Sequence, residues 1–226
     1  SYERDDGSEL DGDTNAFEFG LLHNNTDFPI NPSRGSSQYL AVHHDPGWGD
    51  SDEKWTFLEL EASKYFSLGA SDWARQRIIA LNAWTGYSPS WDIQTNDVGG
   101  SRVTKGPPFL EGATLGGYYR MRGFRDSRFH DKASIYGAAE YRYTLDYNPI
   151  RNVSWLKFLH LDWWQLVAFA EVGRVAPEYT LDTLFDDMKT DVGVGLRALT
   201  AGVVVRADFA YSEEGGNLWF MVSHPF

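Results

Sequence analysis

Between residues 203 and 211 the odd positions Val203, Val205, Ala207, Phe209 and Tyr211 are apolar or aromatic, while the even positions include Arg206 and Asp208. Successive side chains of a strand point to opposite faces, so this period predicts a strand with one apolar and one polar face. Just upstream, Val192, Val194, Leu196 and Ala198 alternate with Asp191, Gly193, Gly195, Arg197 and Leu199. Thr200-Ala201-Gly202 between the two runs predicts a tight hairpin. The same period sets Ile135, Gly137, Ala139, Tyr141 and Tyr143 against Tyr136, Ala138, Glu140, Arg142 and Thr144. It also sets Leu58, Leu60, Ala62, Phe66 and Leu68 against Phe57, Glu59, Glu61, Ser63 and Tyr65. Weaker alternation runs through 16–24, 36–45, 76–88, 165–175 and 217–226. About nine strands are expected, or eight if one weak segment is discounted. Only 154–164 reads as a short helix; Trp155, Phe158, Trp163 and Trp164 there suit either a membrane interface or a plain packed turn of helix.

The connections alternate in length. Residues 45–54, 89–132, 176–189 and 212–216 are polar and rich in Gly, Asp or Pro, whereas 25–35, 68–75 and 200–202 are mostly shorter, with 146–164 the exception. Transmembrane β-barrels show this asymmetry. Composition narrows the choice. The chain has 226 residues, enough for one domain or part of one, and no cysteine, which excludes a disulfide scaffold, a thiolate zinc site and a cysteine nucleophile. Its 20 Lys+Arg against 32 Asp+Glu give a net charge of -12, which argues against nucleic acid as a partner. The longest apolar runs, 166–170 and 218–222, are far below the about 20 residues of a spanning helix. With 9 Trp, 12 Tyr, 14 Phe and 22 Gly, the expected fold is all-β: an antiparallel transmembrane β-barrel over residues 1–226, complete or part of a larger barrel. A soluble acidic β-sandwich is the rival. The run Leu218, Phe220, Val222, His224 and Phe226 carries an apolar face to the final residue, which lipid explains better than solvent. No signal peptide is visible at the polar start, so a processed or cut chain is expected.

Little in the chain suggests catalysis. There is no G-x-S-x-G elbow, and Gly99-Gly100-Ser101 with Lys105 does not make a phosphate loop. His43 and His44 are adjacent on a strand and point to opposite faces, so they are expected to be ordinary strand histidines. No catalytic residue, metal site or cofactor is assigned. The acidic tracts Asp5-Asp6, 50–53 and Asp186-Asp187 read as solvated loops, with loop calcium the open alternative. Glu59, Glu61, Glu140, Arg142, Arg206 and Asp208 read as ordinary interior charges rather than a specific site.

Several short motifs, in order, resemble the BamA/TamA-like outer-membrane barrel superfamily, the bacterial surface antigens. Leu115-Gly116-Gly117 followed by Met121-Arg122-Gly123-Phe124 is similar to the family's arginine–glycine–aromatic motif. The resemblance implies that this motif sits at the tip of a long extracellular loop, here 89–132, folded back into the barrel. Ala139-Glu140-Tyr141-Arg142 resembles the strand after that loop, and Phe169-Ala170-Glu171-Val172-Gly173 the aromatic–x–acid–x–glycine strand, with glutamate in place of aspartate. Gly193-Val194-Gly195-Leu196-Arg197 is similar to the next, glycine-rich strand. Leu218, Phe220, Val222 and Phe226 resemble a C-terminal outer-membrane targeting signal, with His224 where tyrosine is usual. Asp27-Phe28-Pro29 and Ser33-Arg34-Gly35 resemble a periplasmic turn.

The periodicity supports the same placements. Phe169, Glu171 and Gly173 share one strand face while Leu166, Ala168, Ala170 and Val172 suit lipid, so Glu171 should point inward. Gly193, Gly195 and Arg197 likewise face inward. Arg122 is the natural partner of Glu171, because a guanidinium bridges a carboxylate through two hydrogen bonds; the alternative is a solvated loop arginine and an isolated interior charge. The resemblance implies an integral protein of the bacterial outer membrane that assists insertion or translocation of polypeptides. The alternatives are a passive pore, or an anchor for an upstream lipase-type domain. Outer-membrane lipid and lipopolysaccharide, unfolded client polypeptides and a second copy of the chain are the partners to consider.

Overall fold

Most of the predicted alternation is organised into one antiparallel sheet in the computed structural model, which describes residues 2–3, 9–10, 13–51, 53–95, 101–108, 111–150, 158 and 160–226. In chain order the strands are β1 (Tyr2–Glu3), β2 (Glu9–Leu10), β3 (Phe17–Asn24), β4 (Gly35–Asp45), β5 (Trp55–Gly69), β6 (Ala74–Tyr87), β7 (Asp92–Thr95) and β8 (Ser101–Thr104). Then follow β9 (Ala113–Leu115), β10 (Phe129–Asp131), β11 (Ala133–Leu145), β12 (Leu161–Ala176), the single helical turn α1 (Leu181–Leu184), β13 (Lys189–Thr200), β14 (Val203–Ser212) and β15 (Gly215–Val222). Nine strands make a meander in the order β3-β4-β5-β6-β11-β12-β13-β14-β15, and β1–β2, β7–β8 and β9–β10 are separate two-stranded pairs. The last two pairs lie in the long segment between β6 and β11.

The sheet has one covered face and one bare face, and the sequence period decides which residue goes where. On β11 the even positions from Ser134 to Thr144 are buried, while Ala139 and Tyr141 are exposed. On β12 the buried set is Trp163, Gln165, Val167, Phe169, Glu171 and Gly173. The bare face is a continuous apolar surface that includes Leu40, Leu60, Ile79, Leu166, Val194, Phe209 and Phe220, all exposed. Monomeric soluble proteins rarely leave an apolar patch larger than a few hundred Å² uncovered. Exposed aromatics flank it, Trp48, Tyr179 and Phe185 at the end carrying the long loops, Trp73, Tyr147 and Phe158 at the end carrying the turns. No helix among the described residues is long and apolar enough to cross a membrane.

Connections at the turn end are held by local hydrogen bonds. Ala201 and Gly202 join β13 to β14 with φ of 48° and 82°, the left-handed pair that a two-residue hairpin requires. Between β3 and β4 the Asp27 carboxylate accepts from the backbone N–H of Phe28, Ser33 and Arg34 and from the Ser33 hydroxyl. Burial acts to raise its pKa, but these donors outweigh it and hold the carboxyl below its ordinary value.

The edge strands β3 and β15 do not hydrogen-bond to each other, so the described residues show the antiparallel nine-stranded sheet without closure between its edges. Two expectations change. The helix expected over 154–164 is not present at its C-terminal end, where Leu161–Trp164 belong to β12; 154–157 and 159 lie outside the described residues. Trp163 and Trp164 fall on opposite faces of that strand instead of following a helical stripe. Finally, the apolar face of the last strand stops at Val222. Ser223 takes φ 85°, and Phe226 leaves the strand to pack beside Tyr65, Ile78 and Ala80 on the covered face.

Candidate functional site

The segment between β6 and β11 crosses the covered face, and its tip is built from glycine and arginine. Gly116 and Gly117 adopt φ of 113° and 102°, and a Cβ on the first would overlap Arg125 and on the second Asp126, both in the returning part of the loop. Met121, at φ 62°, reverses the chain, so that Arg122 points at the sheet. A Cβ on Gly123 would overlap the side chain of Asp191, so only glycine lets the tip approach this closely. Phe124 is fully buried and meets Phe129 edge to face with ring centroids 5.1 Å apart.

Arg122 has no exposed surface, and its guanidinium is shared by three acids on three strands. Its Nε donates to Glu171 Oε1 on β12 at 3.2 Å and its Nη1 to Asp208 Oδ2 on β14 at 2.8 Å. Its Nη2 lies 2.9 Å from Glu140 Oε1 on β11. The Arg122 backbone N–H donates to Glu171 Oε2 at 2.6 Å, and the guanidinium carbon sits 3.5 Å from the centroid of the Phe169 ring. Desolvation opposes the charge, but Glu171, Glu140 and Asp208 outweigh it and raise the Arg122 pKa well above its ordinary value.

The acids are in turn held by other buried groups. Glu140 accepts from Arg142 Nε at 2.8 Å and from Arg197 Nη1 and Nη2 at 2.9 and 2.8 Å. Asp208 accepts from Arg206 Nη1 at 2.8 Å, and the Tyr136 hydroxyl donates to Glu171. Two inward glycines make room: a Cβ on Gly193 would overlap the Phe169 ring, and one on Gly195 the Asp208 carboxylate. Asp191 lies directly opposite Glu171 on β13, 3% exposed, with the Gly123 backbone packed against it.

The loop backbone is gripped as well. Trp219 Nε1 on β15 donates to the Arg122 carbonyl at 2.8 Å, while Ser212 Oγ and Asn217 Nδ2 donate to the Gly123 carbonyl at 2.7 and 2.8 Å. Arg206 Nη2 donates to the Tyr118 carbonyl at 2.7 Å. On the opposite side Arg120 donates to Glu61 on β5 at 3.0 Å and lies 4.1 Å from the Trp84 ring centroid on β6. The tip therefore ties β5 and β6 to the strands from β11 through β15.

Measured against expectation, the structure brings Arg122, Gly123, Phe124, Phe169, Glu171 and Gly173 into one cluster, with Gly173 packed against Leu115 and Met121. Glu140, Arg142, Arg206 and Asp208 are not isolated interior charges; they belong to the same network. Glu59 and Glu61 form a second cluster, in which Glu59 accepts from Trp84 Nε1 and faces His43, and Glu61 accepts from Asn82 and Arg120. His44 instead meets Thr56 on the bare face. Leu218, Phe220 and Val222 lie on the bare face of β15, apart from the cluster and from Phe226. Sequence reasoning did not reach the roles of Tyr136, Ser212, Asn217 and Trp219. Of the acidic tracts, Asp5 and Asp6 lie outside the described residues. No group of three His, Asp or Glu among the described residues is placed to hold a metal ion.

A buried arginine on a long loop is thus shared by acids of three strands, β11, β12 and β14, of one antiparallel meander. The model of the Omp85 superfamily domain matches residues 2–218. The chain belongs to the Omp85 superfamily. Its members are outer-membrane proteins associated in general with insertion or translocation of outer-membrane polypeptides. No curated protein matches the chain at a significant level. The all-β fold of the chain agrees with that membership.

Proposed function

We propose that this chain forms part of an outer-membrane β-barrel that assists insertion or translocation of polypeptides. In this reading the bare face meets lipid, the covered face lines the barrel interior, the long loops face outward and the short turns face the periplasm. One observation carries it: the loop tip is held by a cation shared among Glu140, Glu171 and Asp208 and by backbone bonds to the last strand. A plug so held is a two-state element. Release would uncover the inner side of β15, whose unpaired edge can accept an extended segment through main-chain hydrogen bonds. The partners in this reading are membrane lipid and unfolded client polypeptide, and the protein's contribution is positional rather than catalytic.

The test uses vesicles containing the purified protein and an unfolded outer-membrane protein as client. Folded client should accumulate faster than in empty vesicles, and Arg122→Ala should remove the acceleration. Ion conductance without any acceleration of client folding would show a passive pore and overturn the proposal.

A further inference from the structure

On the bare face, away from the loop cluster, an apolar groove of about 930 Å³ crosses the sheet from β4 to β13. It follows two adjacent rows of the strand register, and its walls are low because Ala62, Ala83, Gly137, Ala139 and Ala170 are small. Across the ladder Ala62 faces Ala83, Ala83 faces Gly137, and Ala139 faces Ala170, so the trough is continuous. Strands of a membrane barrel tilt by about 35–45°, so a row perpendicular to them climbs the bilayer obliquely. This row starts at the turn end, beside Ser36 and Gln38, and rises to Thr190 at the loop end.

The lower end of the groove is polar and carries one cation. Lys64 is exposed beside Ser36, its register partner on β4, and no acid among the described residues pairs with it. Its ammonium instead lies 5.8 Å from the centroid of the Phe66 ring. Of the other cations on this face, Arg77 donates to the carbonyls of Leu68, Gly69 and Ala70 and Arg174 faces Asp187, while the exposed Arg75 at the turn end of β6 lies outside the groove. The Lys64 charge sits within the groove lining, where the apolar trough meets the turn end.

We infer that this groove seats one anionic phospholipid of the periplasmic leaflet, with its phosphate at Lys64 and an acyl chain along the small-residue trough. The inference rests on the bare face meeting lipid. From β5 to β13 the trough crosses four strand spacings of about 4.8 Å each, or about 19 Å. That accommodates a chain spanning half of a hydrocarbon core of about 30 Å. A negative headgroup complements the Lys64 ammonium at the groove, and a zwitterionic one supplies no net charge to it.

The protein is reconstituted in vesicles of phosphatidylethanolamine and phosphatidylglycerol, re-extracted in mild detergent, and the lipid it carries is measured. Phosphatidylglycerol should be enriched about fivefold over the vesicle ratio, the effect of one basic side chain at an anionic surface. Lys64→Ala should return the ratio to that of the vesicle, and Lys64→Arg should preserve it. Ala83→Leu and Ala139→Leu fill the trough from different strands and should reduce the lipid retained; heat-dependent gel migration shows that each variant is folded. A wild-type ratio equal to that of the vesicle, or enrichment unchanged by Lys64→Ala, overturns the inference. So does a polypeptide recovered in the groove in place of lipid. Failure to float with vesicles at all would instead count against the membrane reading.

Discussion

Each hydrogen-bonding edge of the Arg122 guanidinium faces a different acid, so its removal leaves Glu140, Glu171 and Asp208 short of a counter-charge at once. Breaking a buried ion pair from one side costs about 3–5 kcal/mol. Arg122→Ala should therefore expose the loop to protease without disrupting the sheet, measured as the cleavage rate of residues 89–132 in otherwise folded protein. Lysine should rescue it only in part, because an ammonium cannot present the planar fork that reaches three strands. Asp191 invites the opposite outcome. It faces the Glu171 carboxylate across the ladder and is buried beside it under the loop tip. Asp191→Asn removes one of two neighbouring carboxylates and adds a donor toward Glu171, so loop protection should be maintained or lengthened. Faster cleavage in Asp191→Asn would show that the carboxylate itself is needed there.

Among the elements, the β9–β10 hairpin is the part of the loop most sensitive to acid. His130 on β10 shares a hydrogen bond of 2.7 Å with the Thr114 hydroxyl and packs 5.2 Å from the Trp91 ring, and burial lowers its pKa to about 4. An unfolded histidine titrates near 6.5. As pH falls through 6.5 the unfolded hairpin gains a proton that the folded one refuses, so stability declines progressively to about pH 4 and then levels off. Limited proteolysis from pH 7 to 4 should show this loss, and His130→Gln should flatten the profile. The sequence reveals some of these relationships and hides others for a definable reason. The hairpin at 200–202 was legible as a turn, but it is the two-residue turns at 201–202 and 213–214 in the structure that set Asp208 opposite Gly195 and Trp219 opposite Asp208. Strand faces were legible from the period of two, which placed Glu171, Arg197 and Glu140 inward. Glu171 opposite Asp191 was not legible, because the connection of residues 177–188 leaves the register free. Nor was the inward turn of Phe226, which depends on one backbone angle at Ser223.

At the scale of the molecule the strand count constrains how the edges are satisfied. Nine strands in an antiparallel meander leave β3 and β15 running in the same direction. Direct closure would make a parallel seam, and two copies inserted in the same orientation would meet β3 to β15 in the same way. Parallel pairing is slightly less stable per residue, and bacterial single-chain barrels keep even counts. An all-antiparallel barrel therefore requires a strand of opposite direction, from this or another chain, between the two edges. In membranes, cysteines at Leu21 on β3 and Phe220 on β15 should not join on oxidation, within one chain or between two. Cysteines at Ala207 and Phe220, which face each other across the β14–β15 ladder, should join readily and serve as the positive control. A Leu21–Phe220 cross-link appearing as fast as the control would place the edges in contact and establish a parallel seam. Its absence beside a formed control leaves the edges apart, each with a row of main-chain groups available to another strand.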